Sequence, residues 1–389
     1  MKILLVGNYE KDKQFSMQKF ASCLEEELRQ QGNEVKTCKP TAIFGKYFKS
    51  TSQGLGKWLG YLDKYLLFPI ILKKCAQWAE IIHICDHSNA MYVPYIKSHP
   101  HLVTCHDMMA IRCALGEFSQ HNQVGKTGRL QQQWILSGLK TANHIAAVSN
   151  ATKQDLIRLT NQPSNSKFSV IHNGLNFPFK SIPKEIAVDL LEKYGILDNT
   201  EFLLHVGGNQ WYKNRKGVLE IYKHIINRQP NCSLKLVMAG QVFTEELNKF
   251  VQQFDLGDRV IELTEPTTEE LAALYSLTTA LIFPSLCEGF GWPIIEAQAC
   301  NALVFTSNRE PMTEIGGVAA LYIDPEAPEQ AATIIIDSLN NKNLIEKTTQ
   351  SNMLNVSQFS IESMVKKYLS LYKSIISKNV ISNENSTYN

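Results

Sequence analysis

The chain has 389 residues, 44% of them hydrophobic and 20% charged, with a formal net charge of +2. These are the proportions of a soluble globular protein large enough for two full cores, and they exclude a disordered or fibrous chain. Uninterrupted apolar windows of about 18 residues do not occur, and neither a dense basic run nor a nucleic-acid-binding module is present, so no membrane span and no nucleic-acid partner are expected.

Near-neutrality conceals an asymmetry. Residues 1–175 carry 21 Lys and Arg against 12 Asp and Glu, a net of +9, which leaves −7 for the remainder. A basic first half suits an anionic partner such as a membrane surface or a lipid diphosphate. Nine cysteines stand singly, without a Cys-x2-Cys pair or a ligand-spaced Cys/His cluster, and read as small core residues in a reducing compartment; no metal and no cofactor are expected. Cys287 has no identifiable basic partner to make it a catalytic thiol.

Met1-Lys2 leads directly into Ile3-Leu4-Leu5-Val6-Gly7, a first strand without the features of an export signal, so the protein is expected to stay in the cytoplasm. Asn8 follows that strand. Met17 to Gln31 reads as a helix closed by Gly32, and Val35 to Cys38 as the next strand. Lys46-Tyr47-Phe48-Lys49, Lys57-Trp58, Lys64-Tyr65 and Lys73-Lys74 then mix bases with aromatics. That composition fits either a helical hairpin with a solvated basic rim or an interfacial helix face in peripheral contact with a membrane.

Two short apolar strands follow, Ile81 to Cys85 and Leu102 to Cys105, ending in Asp86-His87-Ser88 and His106-Asp107. Polar groups at the carboxyl ends of strands face the binding crevice of an open α/β sheet, so His87, His106 and Asp107 are collected there. Met108 to Gln133 lacks a clear apolar period and reads as a mobile loop, in which Arg112 and Arg129 either grip an anionic ligand or sit as surface charges. A helix from Trp134, a strand at Ile145 to Val148, a helix from Thr152 and a strand at Phe168 to Ile171 complete the first half. The proline-punctuated stretch Phe177 to Pro183 reads as a linker, which places a domain boundary near 175.

The second half opens with the strand Phe202 to Val206, then Gly207-Gly208-Asn209 and Lys213-Asn214-Arg215-Lys216, with a helix from Val218. A glycine pair after a strand, with bases near a helix start, is a phosphate-loop arrangement. Strands follow at Leu234 to Gly240 and Val260 to Leu263. The apolar run Ala280 to Phe283 then enters Pro284-Ser285-Leu286-Cys287-Glu288-Gly289-Phe290-Gly291-Trp292-Pro293-Ile294-Ile295-Glu296. Here strand, glycine-rich turn and Pro-initiated helix place two carboxylates eight positions apart at a strand's carboxyl end. Glu296 is placed to accept two hydrogen bonds from a vicinal diol such as a ribose, and Glu288 to reach the reacting part of a ligand. Phe359 to Ile376 has helical apolar spacing, and the polar residues 379–389 read as a disordered tail.

Phe283 to Ala299 resembles the E-x7-E signature of the retaining glycosyltransferases of family 4, in its setting FPSxxEGFGxPxxEAxA. The resemblance runs from Lys2 to about Lys378. It implies the α/β fold termed GT-B: two Rossmann-like domains with parallel sheets facing across a cleft, and a last helix crossing back to the first. Residues 1–175, with the returning helix at about 359–378, would bind the acceptor, and 176–358 the nucleotide sugar.

Carried over residue by residue, Glu288, His106 and Lys213 would be catalytic. Glu296, Gly207, Gly208, Asn209, Asn214, Gly240, Gly289, Phe290 and Gly291 would hold the donor. Asn8, His87, Asp107 and Arg129 fall on the acceptor side. Departures from the family pattern occur at Gly208 and Tyr212, where many members carry Arg; the diphosphate charge then rests on Lys213, with Arg215 or Lys216 as substitutes. In His172-Asn173-Gly174-Leu175-Asn176, which is similar to the family's interdomain signature, Asn176 replaces an acid.

The implied reaction is transfer of a hexose-type sugar, with retention and without a metal, from a nucleotide-diphosphate sugar to a hydroxyl of a glycan, lipid-linked or small-molecule acceptor, as in polysaccharide biosynthesis. The resemblance further implies same-face attack, with the departing phosphate taking the acceptor's proton. Two alternatives stay open: another GT-B enzyme such as a sugar-nucleotide epimerase, and a non-catalytic sugar-nucleotide-binding protein.

Overall fold

A computed structural model describes residues 1–12, 14–47, 54–162 and 167–386. The chain forms two compact units: Met1–Asn176 with the chain from Ile361 onward, and Phe177–Ser360.

The first unit is built on six strands, β1 (Lys2–Val6), β2 (Glu34–Cys38), β3 (Ile81–Ile84), β4 (His101–Cys105), β5 (His144–Ala147) and β6 (Phe168–Val170), all parallel in the order β2-β1-β3-β4-β5-β6. Its helices are α1 (Phe15–Gln30), α2 (Gly54–Leu62), α3 (Phe68–Ala76), α4 (Met109–Ala114), α5 (Lys126–Thr141) and α6 (Asn150–Thr160). The period-2 alternation of β1 explains how both faces are covered. Leu4 and Val6 pack into a core with Leu72 of α3 and Ile135 of α5. Ile3 and Leu5 turn the other way, against Phe20 and Leu24 of α1.

The second unit follows with α7 (Lys184–Leu191), β7 (Phe202–Gly207), α8 (Arg215–Arg228), β8 (Lys235–Gly240), α9 (Glu245–Gln253), β9 (Val260–Thr264), α10 (Thr268–Leu277), β10 (Ala280–Phe283), α11 (Trp292–Ala299) and β11 (Val304–Ser307). Then come α12 (Met312–Gly316), β12 (Leu321–Ile323), α13 (Pro328–Leu339), α14 (Lys342–Gln350) and α15 (Asn352–Ser357). The strands are parallel in the order β12-β11-β10-β7-β8-β9. Leu203, Leu236, Ile282 and Phe305 meet Val218, Ile221 and Ile335 in its core.

Helix α16 (Ile361–Ser386) belongs to the first unit, where Met364, Val365, Tyr368 and Tyr372 join the core formed by α1 and β1. Two hydroxyls fasten it. Tyr372 Oη lies 2.7 Å from His83 Nδ1, and Tyr368 Oη 2.8 Å from Thr104 Oγ1, which in turn lies 2.7 Å from His83 Nε2. Burial pushes the His83 pKa down to about 3, which keeps the imidazole neutral, one nitrogen donating and one accepting.

Three expectations are corrected. Residues 108–133 are not a loop: α4 and the first turns of α5 occupy much of the segment, α4 burying Met109, Ile111 and Cys113, while the residues that bury α5, Ile135, Gly138 and Leu139, come only after the segment ends, so no apolar stripe marks its start. The basic, aromatic stretch is not a hairpin among the described residues: α2 passes into α3 through a π-helical turn at Asp63–Leu67. The tail expected to lose order at 379 stays helical to Ser386, since helical backbone bonding continues past the last apolar anchor and Asn379 Nδ2 donates to Ile375 O at 3.1 Å; residues 387–389 lie outside the described residues.

Candidate active site

In a doubly wound sheet the crevice opens where the strand order reverses. That point lies between β7 and β10 in the second unit and between β1 and β3 in the first. Most of the residues singled out from the sequence flank these two points.

In the second unit, β7 ends in Gly207 and the chain turns through Gly208 to Lys213 before α8, while β10 ends at Phe283 and runs through Glu288 into α11. Lys213 Nζ donates to Glu288 Oε1 at 2.7 Å, with the Glu288 side chain only 8% exposed. Lys213 also stands over the Phe283 ring, 5.2 Å from its centroid. Leu286 N donates to Tyr212 O at 2.7 Å, which clips the two loops together. Asn214 adopts a left-handed φ of 55° at the start of α8, and its Nδ2 donates to Pro284 O at 3.0 Å and Pro325 O at 3.1 Å. Asn214 thereby ties the start of α8 to the segments after β10 and β12.

Glycine is required where the backbone closes in. Gly240, at the end of β8, has φ +143°, and a Cβ there would lie 2.2 Å from Gly207 O. Gly291, at φ +105°, turns the chain into α11, whose Pro293 fits the first turn. Phe290 is buried with its ring 5.8 Å from that of Phe359, so it anchors the turn from below. Gly289 lies in the same turn.

Glu296 is buried in α11 and accepts from Tyr275 Oη at 2.9 Å. Tyr275, on α10, escaped the sequence reading because the pair is formed by two helices. Arg215 is the larger omission. Named only as a substitute cation, it is buried, its Nη1 donates to Asn209 Oδ1 and to Gln241 O, the latter at 2.8 Å, and its guanidinium stands 4.9 Å from the Phe243 ring centroid. Gln241 Oε1 in turn accepts from Asn209 N at 2.8 Å, and Asn209 Nδ2 donates to Val242 O at 2.8 Å. Arg215 thus joins the loop after β7 to the turn after β8. Lys216 pairs with Glu246 on the surface.

In the first unit a cavity of about 290 Å³ lies over the carboxyl ends of β1, β3 and β4, bounded by Tyr9, Asp86, His87, His106 and Asp107 among others. Asn8 sits beneath it, donating to Asp86 Oδ2 at 2.6 Å and accepting from Asn89 Nδ2 at 3.1 Å. Asp86 Oδ1 lies 3.1 Å from His87 Nδ1. Burial opposes both charges, but hydrogen bonding and Coulomb attraction within the pair outweigh it, lowering Asp86 and raising His87. His106 Nε2 lies 2.9 Å from Cys85 O; a carbonyl can only accept, so Nε2 carries the hydrogen and Nδ1 is the acceptor of the neutral ring. Burial lowers its pKa, against the pull of Asp86. Asp107 Oδ1 caps Met109 N at 2.8 Å.

The two arginines do not join this wall. Arg129 is exposed and its Nε donates to Val124 O at 3.0 Å, while Gln131, Gln132 and Ile135 on α5 line the cavity. Arg112 pairs with Glu117 and Asp155. Arg129 therefore lies outside the lining of this cavity, because the helical turn that begins at Lys126 leaves its side chain exposed.

Two doubly wound sheets, each with polar loops at its switch point, define the GT-B class. A sucrose-phosphate synthase from Thermosynechococcus elongatus superposes with a TM-score of 0.73 at 18% identity, covering 97% of this chain and 100% of that one. The Anabaena protein Alr3699/HepE, solved with UDP and glucose, does so with 0.73 at 16%, covering 96% and 100%. Within that class the chain belongs to the group 1, family 4 glycosyltransferases: the profile "Glycosyl transferases group 1" matches residues 189–353 and "Glycosyltransferase Family 4" residues 19–177. Its relatives include O-antigen chain mannosyltransferase B of Escherichia coli, 26% identical over 74% of this chain and 73% of that protein. O-antigen chain mannosyltransferase RfbU of Salmonella typhimurium is 31% identical over 48% of each.

Proposed function

We propose that this glycosyltransferase moves a hexose, with mannose the first choice, from a nucleotide-diphosphate donor to a hydroxyl of a growing glycan, with retention at the anomeric carbon. The observation that carries the reading is the Lys213–Glu288 pair at the switch point of the second sheet. The sugar is suggested by the relatives named as O-antigen mannosyltransferases, and a nucleotide-diphosphate donor by the UDP-bound neighbour.

Charge accounting assigns the roles. Breaking the bond between sugar and diphosphate leaves negative charge on phosphate and positive character on the anomeric carbon. Lys213, with the amides of Gly207 and Gly208, would stabilise the first without calling on a metal, and Glu288 the second. Tyr275 orients Glu296 for the nucleotide's ribose. A carboxylate held by a lysine is a poor nucleophile, which favours same-face attack over the double displacement of retaining glycosidases. The departing phosphate oxygen then takes the proton of the attacking hydroxyl.

Calorimetry with GDP-, UDP- and ADP-linked mannose and glucose, followed by NMR of the product's anomeric configuration, tests the reading. One nucleotide sugar should bind, and the new linkage should keep the donor's configuration. Binding of none overturns the reading, and an inverted product overturns the mechanism.

A further inference from the structure

The continuous helix of α2, the π turn and α3 turns a row of large apolar side chains outward. Trp58 is 62% exposed, Leu62 41%, Leu66 60% and Ile70 56%, one every fourth residue. An α-helix carries such a row slowly around its surface, because four residues overshoot a 3.6-residue turn; a π turn takes more residues per turn and brings the row back. The π turn at Asp63–Leu67 falls in the middle of this row. It is held there by Asp63, which is buried and accepts from Tyr9 Oη at 3.0 Å, Phe44 N at 3.0 Å and Gly45 N at 2.8 Å.

The neighbouring helix extends the surface. Trp134 of α5 lies 5.1 Å from the Tyr65 ring, and Leu130, one turn earlier, is 66% exposed. Tyr65 is 5.0 Å from Tyr61, and Tyr61 is 5.8 Å from Trp58. One aromatic cluster therefore runs from the exposed ridge to the cavity over β1, β3 and β4, which Tyr65 lines.

Charge selects the occupant. Lys57, Lys73, Lys74, Lys126 and Arg129 lie on these helices, and the only acid across α2, the π turn, α3 and α5 is the buried Asp63. An apolar ridge beside bases, with no exposed acid on its own helices, suits insertion at the headgroup level of an anionic bilayer. We propose that this ridge docks the first unit on an anionic phospholipid surface, so that the acceptor reaching the cavity is carried on a lipid. The proposal deepens the glycan-transfer reading and rests on it for the identity of what the lipid carries.

The test is co-sedimentation of the full chain with vesicles of phosphatidylcholine alone or with about one third phosphatidylglycerol. Binding is expected to the anionic vesicles, to fall as salt rises, and to be accompanied by a blue shift of tryptophan fluorescence that Trp58→Phe reduces and that Trp58→Phe combined with Trp134→Phe removes. The triple change Leu62→Glu, Leu66→Glu and Ile70→Glu should lower vesicle binding at least tenfold while nucleotide-sugar affinity and the circular dichroism spectrum stay as in the wild type. A separate change of Lys57, Lys73 and Lys74 to Glu should do the same without touching the apolar row.

Equal binding to neutral vesicles, no binding at low salt, or full binding by either triple variant overturns the proposal. So does a dimer in solution that the Leu62, Leu66 and Ile70 changes dissociate, since a second copy would then cover the ridge. Failure of nucleotide-sugar binding overturns the enzyme reading alone and leaves vesicle binding to be judged separately.

Discussion

Lys213 and Glu288, 75 residues apart in the chain, meet at 2.7 Å because β7 and β10 are neighbours in the sheet and Asn214 and Leu286 bind their loops together. A cation on one loop and an anion on the next offer one group to each charge that develops as a sugar–phosphate bond breaks. Lys213→Met should therefore lower turnover about 10²–10³-fold, with a much smaller change in donor affinity, as for removal of one preorganised charge donor. Steady-state kinetics beside calorimetry read the two separately; a loss confined to affinity would contradict a transition-state role.

Glu296 accepts the Tyr275 hydroxyl in a buried setting. Glu296→Ala should weaken nucleotide binding and also cost about 1–3 kcal/mol of stability, because it leaves that hydroxyl without its acceptor. Glu296→Gln keeps an acceptor for Tyr275 and should restore stability while affinity remains reduced. Thermal unfolding and calorimetry on both variants decide the matter; unchanged affinity in each would remove Glu296 from the nucleotide site.

His106 lies in the first unit, held through Nε2 by Cys85 O and edge-on to Phe20 with centroids 4.8 Å apart. His106→Ala should leave nucleotide affinity unaltered and depress sugar transfer by about 10²-fold, the scale of a positioned proton-exchanging group. Single-turnover transfer measured beside calorimetry checks this, and equal loss in both would make its role structural.

Arg215 joins the Asn209 loop to the Gln241 turn from a buried position. Arg215→Lys retains charge without the planar fork, so it should raise the KM for donor about tenfold and leave kcat nearly unchanged. A fall in kcat at unaltered KM would instead place Arg215 on the reacting phosphate.

Burial lowers both His83 and His205 to about 3. Unfolded histidine titrates near 6.5, so below that pH the unfolded chain binds protons that the folded chain refuses. Stability should decline as pH falls from about 6.5 toward 3, by at most about 1.4 kcal/mol per pH unit for each group. His87, raised by Asp86, runs the other way: its contribution is full below about 6.5 and fades as pH rises through its folded value. Denaturant unfolding from pH 7 to 4.5 should show the net decline, and His83→Gln should flatten it. The same slope in that variant would refute the assignment to His83.

Most of the strand pattern was legible because parallel strands buried on both faces are short apolar runs, and the residues at their ends are polar. Strand β12 and helices α7, α9, α10 and α12 to α15 were not read; Leu321–Ile323 is only three residues long, and Lys184–Leu191 follows a proline-rich stretch that signals a linker. Helix α5 was half seen: its first turns carry Gly128 and three glutamines, a composition that masks its periodicity. In the second unit, the two carboxylates Glu288 and Glu296 and the glycines were singled out by local spacing, and Lys213 by the family resemblance. Arg215 and Tyr275 were not, because their partners Gln241 and Glu296 come from other elements.

The sequence alone determined the local chemistry: which strands end in polar residues, where glycine must turn the chain, and which carboxylates lie eight residues apart. Such features depend on neighbours within one turn or strand, where backbone stereochemistry decides. Only the tertiary structure decided that Lys213 meets Glu288, that Arg129 points away from the cavity that His106 lines, and that Tyr372 reaches His83 across 289 residues of chain. Those pairings follow from strand order and helix packing, which are set by burial of the whole core rather than by any one segment.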